Sequence, residues 1–227
     1  MRSLVRSVPQ DIVSVRSLSI PKKARDEYEK AQSRLQRHDV DGAIGHLQKA
    51  AELAPHFAEA FNYLGTIYFQ KREYSSAEQS FRQALEQDPQ AFEPLVNLGG
   101  TLLAQGRAPE ALAINLHAQN AQPKDALANA QLGLSYFLMG DYELAATYLR
   151  LTKEIDPAHF SNPEIPLAEI YLRRSDKAAA VRELEDFLKL HPDSPQARSV
   201  RALIQKIRTS PKTEPPHPAI SIGPPPS

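Results

Sequence analysis

The chain has 227 residues, with 27 Lys and Arg against 27 Asp and Glu, so its formal net charge is zero. A balanced charge argues against a nucleic-acid-binding protein, because phosphate contacts require a basic excess. The lack of cysteine excludes disulfides, thiolate nucleophiles and cysteine-ligated zinc or iron–sulfur sites.

Residues 1–23 form an N-terminal arm whose pattern differs from that of the remaining chain. Residues 12–20 alternate apolar and polar side chains, which predicts a short β-strand. Because a lone strand is unstable, this segment either packs on the helices that follow or ends a β domain that precedes it; a disordered arm is the alternative. The arm has no apolar core before Pro9, so we expect no signal peptide.

Residues 24–194 repeat with a period of 34 or 35 residues. The features that recur are a proline after a helical pattern and an alanine twelve residues before it. The prolines are Pro55, Pro89, Pro123, Pro157 and Pro192, and the alanines are Ala43, Ala77, Ala111, Ala145 and Ala180. We therefore predict five helix pairs, which span 24–57, 58–91, 92–125, 126–160 and 161–194.

The copy at 58–91 carries the most complete pattern. Its residues are Phe61, Leu64, Gly65, Tyr68, Ala77, Phe81, Ala84 and Pro89. The spacing predicts one helix over about 58–71 and a second over about 75–87, with Gly65 and Ala77 small enough for the helices to approach closely. Gly106 and Gly140 are predicted to make the turn inside two other pairs.

This pattern resembles the signature of the tetratricopeptide repeat (TPR) family, and the chain is similar to bacterial-type TPR proteins. The resemblance implies an all-α fold, a right-handed α-solenoid of five helical hairpins. Residues 195–208 are predicted to add a capping helix, because Val200, Leu203, Ile204 and Ile207 form one apolar stripe. A sixth repeat cut short is the alternative. Residues 209–227 contain seven prolines, which predicts a disordered tail.

The sequence contains no pattern typical of an enzyme. It lacks a phosphate-binding loop and a dinucleotide-binding turn, and its seven histidines show no metal-binding spacing. We therefore predict no catalytic residue, no cofactor and no metal. The longest uncharged run, residues 126–140, is shorter than the about 20 residues that a membrane span requires. We expect a soluble protein of the cytoplasm or the periplasm.

The resemblance implies that the first helix of each hairpin lines a concave, partner-binding groove. Position 1 of the five repeats is Ala24, Ala58, Phe92, Ala126 and Ser161. The predicted groove residues are Tyr28, Asn62, Thr66, Phe69, Val96, Asn97, Leu103, Leu127, Ala130, Leu134, Phe137, Leu138 and Ile165. Three of them occupy position 12, namely Phe69, Leu103 and Phe137, and belong to the core in an alternative interpretation.

The residue types of the groove predict its partner. TPR proteins that clamp a terminal carboxylate place Lys and Asn at positions that here hold Tyr28, Gln32, Asn62, Val96 and Ala130. Only Asn62 and the adjacent-position Asn97 keep an amide, so we expect no such clamp. The apolar third and fourth repeats predict an adaptor that binds a protein or peptide with an apolar or amphipathic segment. The alternatives are a TPR module of a larger enzyme or of a secretion or assembly complex, a guest from the chain itself, and self-association through the end faces.

Overall fold

The computed structural model describes residues 20–210. Within that range the chain forms eleven α-helices and no β-strand. The helices are α1 (Lys22–Gln36), α2 (Val40–Leu53), α3 (Ala58–Gln70), α4 (Tyr74–Gln87), α5 (Phe92–Ala104), α6 (Ala108–Ala121), α7 (Ala126–Met139), α8 (Tyr142–Ile155), α9 (Glu164–Arg173), α10 (Lys177–Leu190) and α11 (Ala197–Thr209). The fold is therefore all-α, as predicted.

Successive helices pair as five hairpins, α1 with α2 through to α9 with α10, and α11 packs on α10. The helices predicted over about 58–71 and 75–87 are confirmed as α3 and α4. The five repeat prolines each lie two residues beyond the end of α2, α4, α6, α8 or α10. Proline cannot continue a helix, and it therefore ends the second helix of every hairpin at the same repeat position.

A left-handed backbone conformation closes each hairpin at repeat position 15. The φ values there are 60° at His38, 61° at Arg72, 74° at Gly106, 83° at Gly140 and 61° at Ser175. The predicted turn glycines, Gly106 and Gly140, are thus confirmed. The other three hairpins adopt the same turn with a side chain present, and this conformation costs a non-glycine residue about 1 kcal/mol.

Aspartate side chains cap the first turns of four helices. Asp39, Asp125, Asp141 and Asp176 accept hydrogen bonds from the backbone nitrogens of Gly42, Ala128, Leu144 and Ala179. The cap satisfies a backbone donor that has no partner inside the helix, which stabilises the helix by about 1 kcal/mol.

The two helices of a hairpin approach closely at the small residue of the repeat. A Cβ atom at Gly65 would lie 2.5 Å from the ring of Phe81, and one at Gly133 would lie 2.9 Å from Cγ of Leu149. These distances confirm that the small residues permit the close approach. Any larger side chain at either position would push the paired helix away.

The chain divides into two compact units, one up to Pro89 and one from Gln90. In the first unit, the apolar core includes Leu47, Leu64 and Phe57. In the second, one cluster forms around Leu149 and Leu167 and another where α10 meets α11. Each unit therefore has an apolar core of its own.

Both predicted terminal segments lie largely outside the described residues. Of the strand predicted over 12–20, only Ile20 is described, and it packs in the core of the first hairpin with 6% of its surface exposed. The helix α11 ends at Thr209, one residue beyond the predicted end of the cap. The strand and the proline-rich tail stay predictions.

Candidate functional site

Most predicted binding residues of the second unit lie on the outward sides of α5 and α7. These are the first helices of the third and fourth hairpins, and they contact each other. We call this surface the α5–α7 face. Its residues are exposed or half-buried, and they are Asn97, Gly100, Leu103, Leu127, Gln131, Leu134, Phe137 and Leu138.

The helix α7 contributes an apolar strip without charge. None of its 14 residues is charged. Leu127, Leu134 and Leu138 are spaced by seven and four residues, which aligns them along one side of the helix. Leu138 is 50% exposed, and the neighbouring Met139 is 47% exposed. Contiguous apolar surface of this kind is typical of an interaction site.

The helix α5 has a glycine, Gly100, where α7 approaches it. A Cβ atom at Gly100 would lie 2.7 Å from Nε2 of Gln131. The carboxamide of Gln131 thus occupies space that a side chain at position 100 would need. Its Oε1 atom is buried and accepts no hydrogen bond from the described residues. The centre of the α5–α7 face is therefore an amide set between apolar side chains.

A buried polar pair supports this face from behind. Asn115 of α6 is fully buried and donates a 2.9 Å hydrogen bond to Oγ of the equally buried Ser135. A Cβ atom at Gly99 would lie 1.7 Å from Oδ1 of Asn115. The other four hairpins have Leu47, Phe81, Leu149 and Leu184 at this repeat position. Asn115 is not among the residues predicted from the sequence, although it is the one polar residue at this position of the five repeats.

Three of the predicted groove residues of the second unit contribute little surface. Val96 is 5% exposed and Ala130 is 3% exposed, so the prediction of an exposed Val96 is wrong. Both lie on the inner side of their helix, where they pack instead of facing solvent. Ile165 of α9 is half-buried and packs against the cluster that contains Leu184.

The residues at position 12 combine core and surface character. Phe137 is half-buried, packs against the core cluster of Leu149 and has its ring 5.7 Å from that of Tyr142. Leu103 is also half-buried. In the first unit, Phe69 is 38% exposed and lies 5.5 Å from the ring of Tyr74.

The remaining predicted residues belong to the first unit and are half-buried. Tyr28 packs between the rings of Phe57 and Tyr63, at centroid distances of 5.0 and 5.7 Å, and burial raises its pKa to about 12. Thr66 donates a 3.0 Å hydrogen bond to the backbone carbonyl of Asn62. Tyr28 therefore contacts the second hairpin through Tyr63, whereas Thr66 is bonded within its own helix.

An open cleft of about 800 Å³ lies where the turn after α7 meets α9. Its lining includes Met139, Tyr142 and Arg173. The guanidinium of Arg173 lies 4.9 Å from the centroid of the Tyr142 ring and donates a 2.6 Å hydrogen bond to Glu169. The cleft therefore extends the apolar strip of α7 towards an aromatic and cationic pair.

Repeat position 4 carries an acidic side chain in the first hairpin. Glu27 is 6% exposed, and Lys30 Nζ and His46 Nδ1 each lie 2.7 Å from its carboxylate. Lys49 lies 3.5 Å from the same group. The hydrogen bonds of Lys30 and His46 lower the pKa of Glu27 to about 2. The negative charge of Glu27 is therefore stabilised by the hydrogen bonds and cations around it.

The fifth hairpin carries a glutamate at the same position without such compensation. Glu164 is fully buried, and neither of its carboxylate oxygens has a hydrogen-bond partner among the described residues. Lys153 Nζ lies 4.0 Å away but is 2.6 Å from Glu183 and 3.1 Å from Asp186. Burial raises the pKa of Glu164 to about 7.

Residues 20–210 contain no cluster of three His, Asp or Glu residues that could hold a metal ion. No helix in this part of the chain is long and apolar enough to cross a bilayer.

Sequence profiles of the tetratricopeptide repeat match almost the whole helical region. They cover residues 28–92, 69–133, 126–159 and 165–205. The chain belongs to the tetratricopeptide repeat family. The five TPR hairpins predicted from the sequence are thereby confirmed, and α11 follows the last of them.

Among curated proteins, the chain is similar to human tetratricopeptide repeat protein 16. The two are 24% identical over 200 residues, which is 85% of this chain and 22% of the human protein. A BBSome complex member, the BBS4 homolog of Drosophila melanogaster, is 31% identical over 91 residues, which is 38% of this chain and 19% of that protein. The chain thus spans about a fifth of the length of these relatives.

Solved TPR structures share the fold at low sequence identity. Residues 41 to the end of MamA from Desulfovibrio magneticus RS-1 superpose with a TM-score of 0.70 at 21% identity, covering 78% of this chain and 99% of that structure. YrrB, described as a TPR protein with an unusual peptide-binding site, superposes with a TM-score of 0.68 at 22% identity, covering 79% of this chain and 92% of YrrB. At this level of identity, the likeness establishes the fold.

Proposed function

We propose that this TPR chain is an interaction scaffold that binds an apolar or amphipathic segment of another protein on its α5–α7 face. In this function the chain binds its partner and catalyses no reaction. The observation that carries it is the uncharged helix α7, whose leucines lie in line with Leu138 half exposed. A hydrophobic partner surface would remove these side chains from water.

The expected size of the interaction follows from the area that the leucines offer. Burying one leucine side chain contributes roughly 1.5–3 kcal/mol. Two or three such contacts give roughly 3–9 kcal/mol before the cost of association is subtracted, so a stable complex also requires contacts around the leucines.

The likeness to YrrB supports this proposal, because that protein is described as having a peptide-binding site. The residue composition supports it further. An extended or helical guest that carries apolar residues at regular spacing would match the regular spacing of Leu127, Leu134 and Leu138.

The test uses peptides selected on the wild-type chain from a random peptide display library. We expect Leu134→Glu to weaken the binding of the selected peptides at least tenfold, because it places a charge without a partner beneath an apolar peptide. Fluorescence anisotropy measures the affinity, and circular dichroism checks that helicity is retained.

Leu116→Glu is the matched control. Leu116 is a 38% exposed leucine of α6, which is not part of the α5–α7 face. The control variant should bind the same peptides as the wild type does. Equal losses in both variants, or full binding by Leu134→Glu, would contradict the assignment of the α5–α7 face.

A further inference from the structure

The last helix has a charge balance unlike that of the chain as a whole. The chain is neutral, whereas α11 contains four basic residues and no acidic one. The basic residues are Arg198, Arg201, Lys206 and Arg208. The helix therefore concentrates positive charge in 13 residues at the end of the repeat array.

The packing of α11 turns this charge towards solvent. Val200, Ile204 and Ile207 are at most 5% exposed and pack against α10. The opposite side of the helix carries the exposed cations, and its other exposed positions are small or polar. These positions are Ser199, Ala202, Gln205 and Thr209. Short side chains between long cationic ones leave the helix surface open to a closely packed partner.

Three of the four cations lack an acidic partner among residues 20–210. Arg208 pairs with Glu185 of α10. The other acids of that helix that form ion pairs, Glu183 and Asp186, bind Lys153 instead. Arg198, Arg201 and Lys206 therefore have no ion pair with the described residues. The side chains of residues 211–227 include one acidic residue, Glu214, and one lysine, so these side chains balance in charge.

We propose that the outward side of α11 binds an acidic segment of another protein. Its unpaired cations would meet carboxylates of the partner, and electrostatic complementarity of this kind directs association and register. A helix of 13 residues is about 20 Å long, which accommodates an acidic helix of three to four turns. This surface is separate from the α5–α7 face.

The packing favours a protein partner over the two other common anionic partners. Membrane-surface helices insert apolar residues into the bilayer, but the apolar stripe of α11 is buried against α10. A nucleic-acid binder with about 6–10 phosphate contacts needs a similar number of cations, whereas α11 offers three cations that have no ion pair with residues 20–210.

The experiment measures binding of a fluorescein-labelled peptide of twelve glutamates to the full chain at low and moderate salt. The test variant is R198E/R201E/K206E. The matched control, K22E/K23E/R25E, changes the net charge equally at three exposed cations of α1, a helix that also carries Asp26 and Glu29. We expect at least tenfold weaker binding by the test variant and less than a twofold change in the control.

Equal losses in the two variants would overturn the proposal, because they would show attraction by net charge alone. Tighter binding of vesicles containing 30% phosphatidylserine, or of a 20-base-pair DNA duplex, would also overturn it in favour of another partner class. Should the reversal variant fail to fold, R198Q/R201Q/K206Q replaces it, with an expected loss of at least threefold. Leu134→Glu should leave the binding of the glutamate peptide unchanged, which separates this proposal from that for the α5–α7 face.

Discussion

The first and fifth hairpins carry the same residue at the same repeat position, and its surroundings differ completely. Glu27 is held by Lys30, His46 and Lys49, and its pKa falls to about 2. Glu164 is fully buried without a hydrogen bond to its carboxylate from residues 20–210, and its pKa rises to about 7. The repeat position determines that the side chain is buried, and its neighbours determine whether its charge is tolerated.

Access to solvent explains the difference between the hairpins. Around Glu27, the lysine partners are surface residues, with Lys30 56% and Lys49 60% exposed, so they reach the carboxylate without being buried themselves. Within the described part of the chain, Glu164 has one nearby cation, Lys153, whose shorter contacts are to Glu183 and Asp186. Burying an unpaired carboxylate disfavours its ionised form, which raises the pKa.

The largest expected effect comes from exchanging each glutamate for methionine, which conserves volume. Glu164→Met removes a buried carboxyl group that has no hydrogen bond from the described residues, and it should stabilise the protein by on the order of 3 kcal/mol at pH 8. Glu27→Met leaves Lys30 and His46 without their acceptor and should destabilise it. Urea denaturation of both variants measures the two changes. A change of the same sign in the free energy of unfolding of both variants would contradict the difference between the two glutamates.

A smaller effect is expected from pH, with opposite directions in the two hairpins. The pKa of Glu164 is about 7 in the folded chain against an ordinary 4.5, so the unfolded chain loses its proton first and stability falls as pH rises from 4.5 to 7. The pKa of Glu27 is about 2, so its contribution is present above pH 4.5 and is lost as pH falls towards 2.

Glutamine variants measure each response separately. The stability gained by Glu164→Gln over the wild type should grow by on the order of 2 kcal/mol between pH 5 and pH 8. The loss of stability caused by Glu27→Gln should become smaller below pH 4. A gain for Glu164→Gln that is constant with pH would show that this carboxyl group ionises normally in the folded chain.

The smallest effect concerns the turn, where the two hairpins are alike. His38 and Ser175 both have a positive φ, of 60° and 61°. His38→Gly and Ser175→Gly should each stabilise the protein by about 0.5–1 kcal/mol, because glycine adopts this conformation without strain. Thermal denaturation measures both shifts, which should agree.

Gly140→Ala provides the reverse control. A Cβ atom there would meet no atom within 4 Å, so the substitution tests the backbone conformation alone. It should destabilise the fourth hairpin by a similar amount. Unequal gains in His38→Gly and Ser175→Gly would show that the turns of the two hairpins differ in a way that φ does not reveal.

Much of the fold could be predicted because each repeat carries the same helix-ending, turn-forming and small residues at the same positions. Pro89 ends a helix, Gly140 makes a turn, and Gly133 admits Leu149, and each of these effects acts within one hairpin. The candidate site was less predictable. Val96 and Leu138 both fit the groove pattern, yet one is 5% and the other 50% exposed. Exposure depends on which side of a helix its neighbours cover.

The sequence by itself determined the number of hairpins, their helices and their turns, since these follow from residue spacing and backbone preference. Only the tertiary structure decided the charge states of Glu27 and Glu164, the burial of Asn115 and the isolation of the α11 cations. The physical reason is that a side chain's pairing and desolvation depend on atoms brought together from different helices, such as Lys153 and Glu183, which are 30 residues apart in the chain.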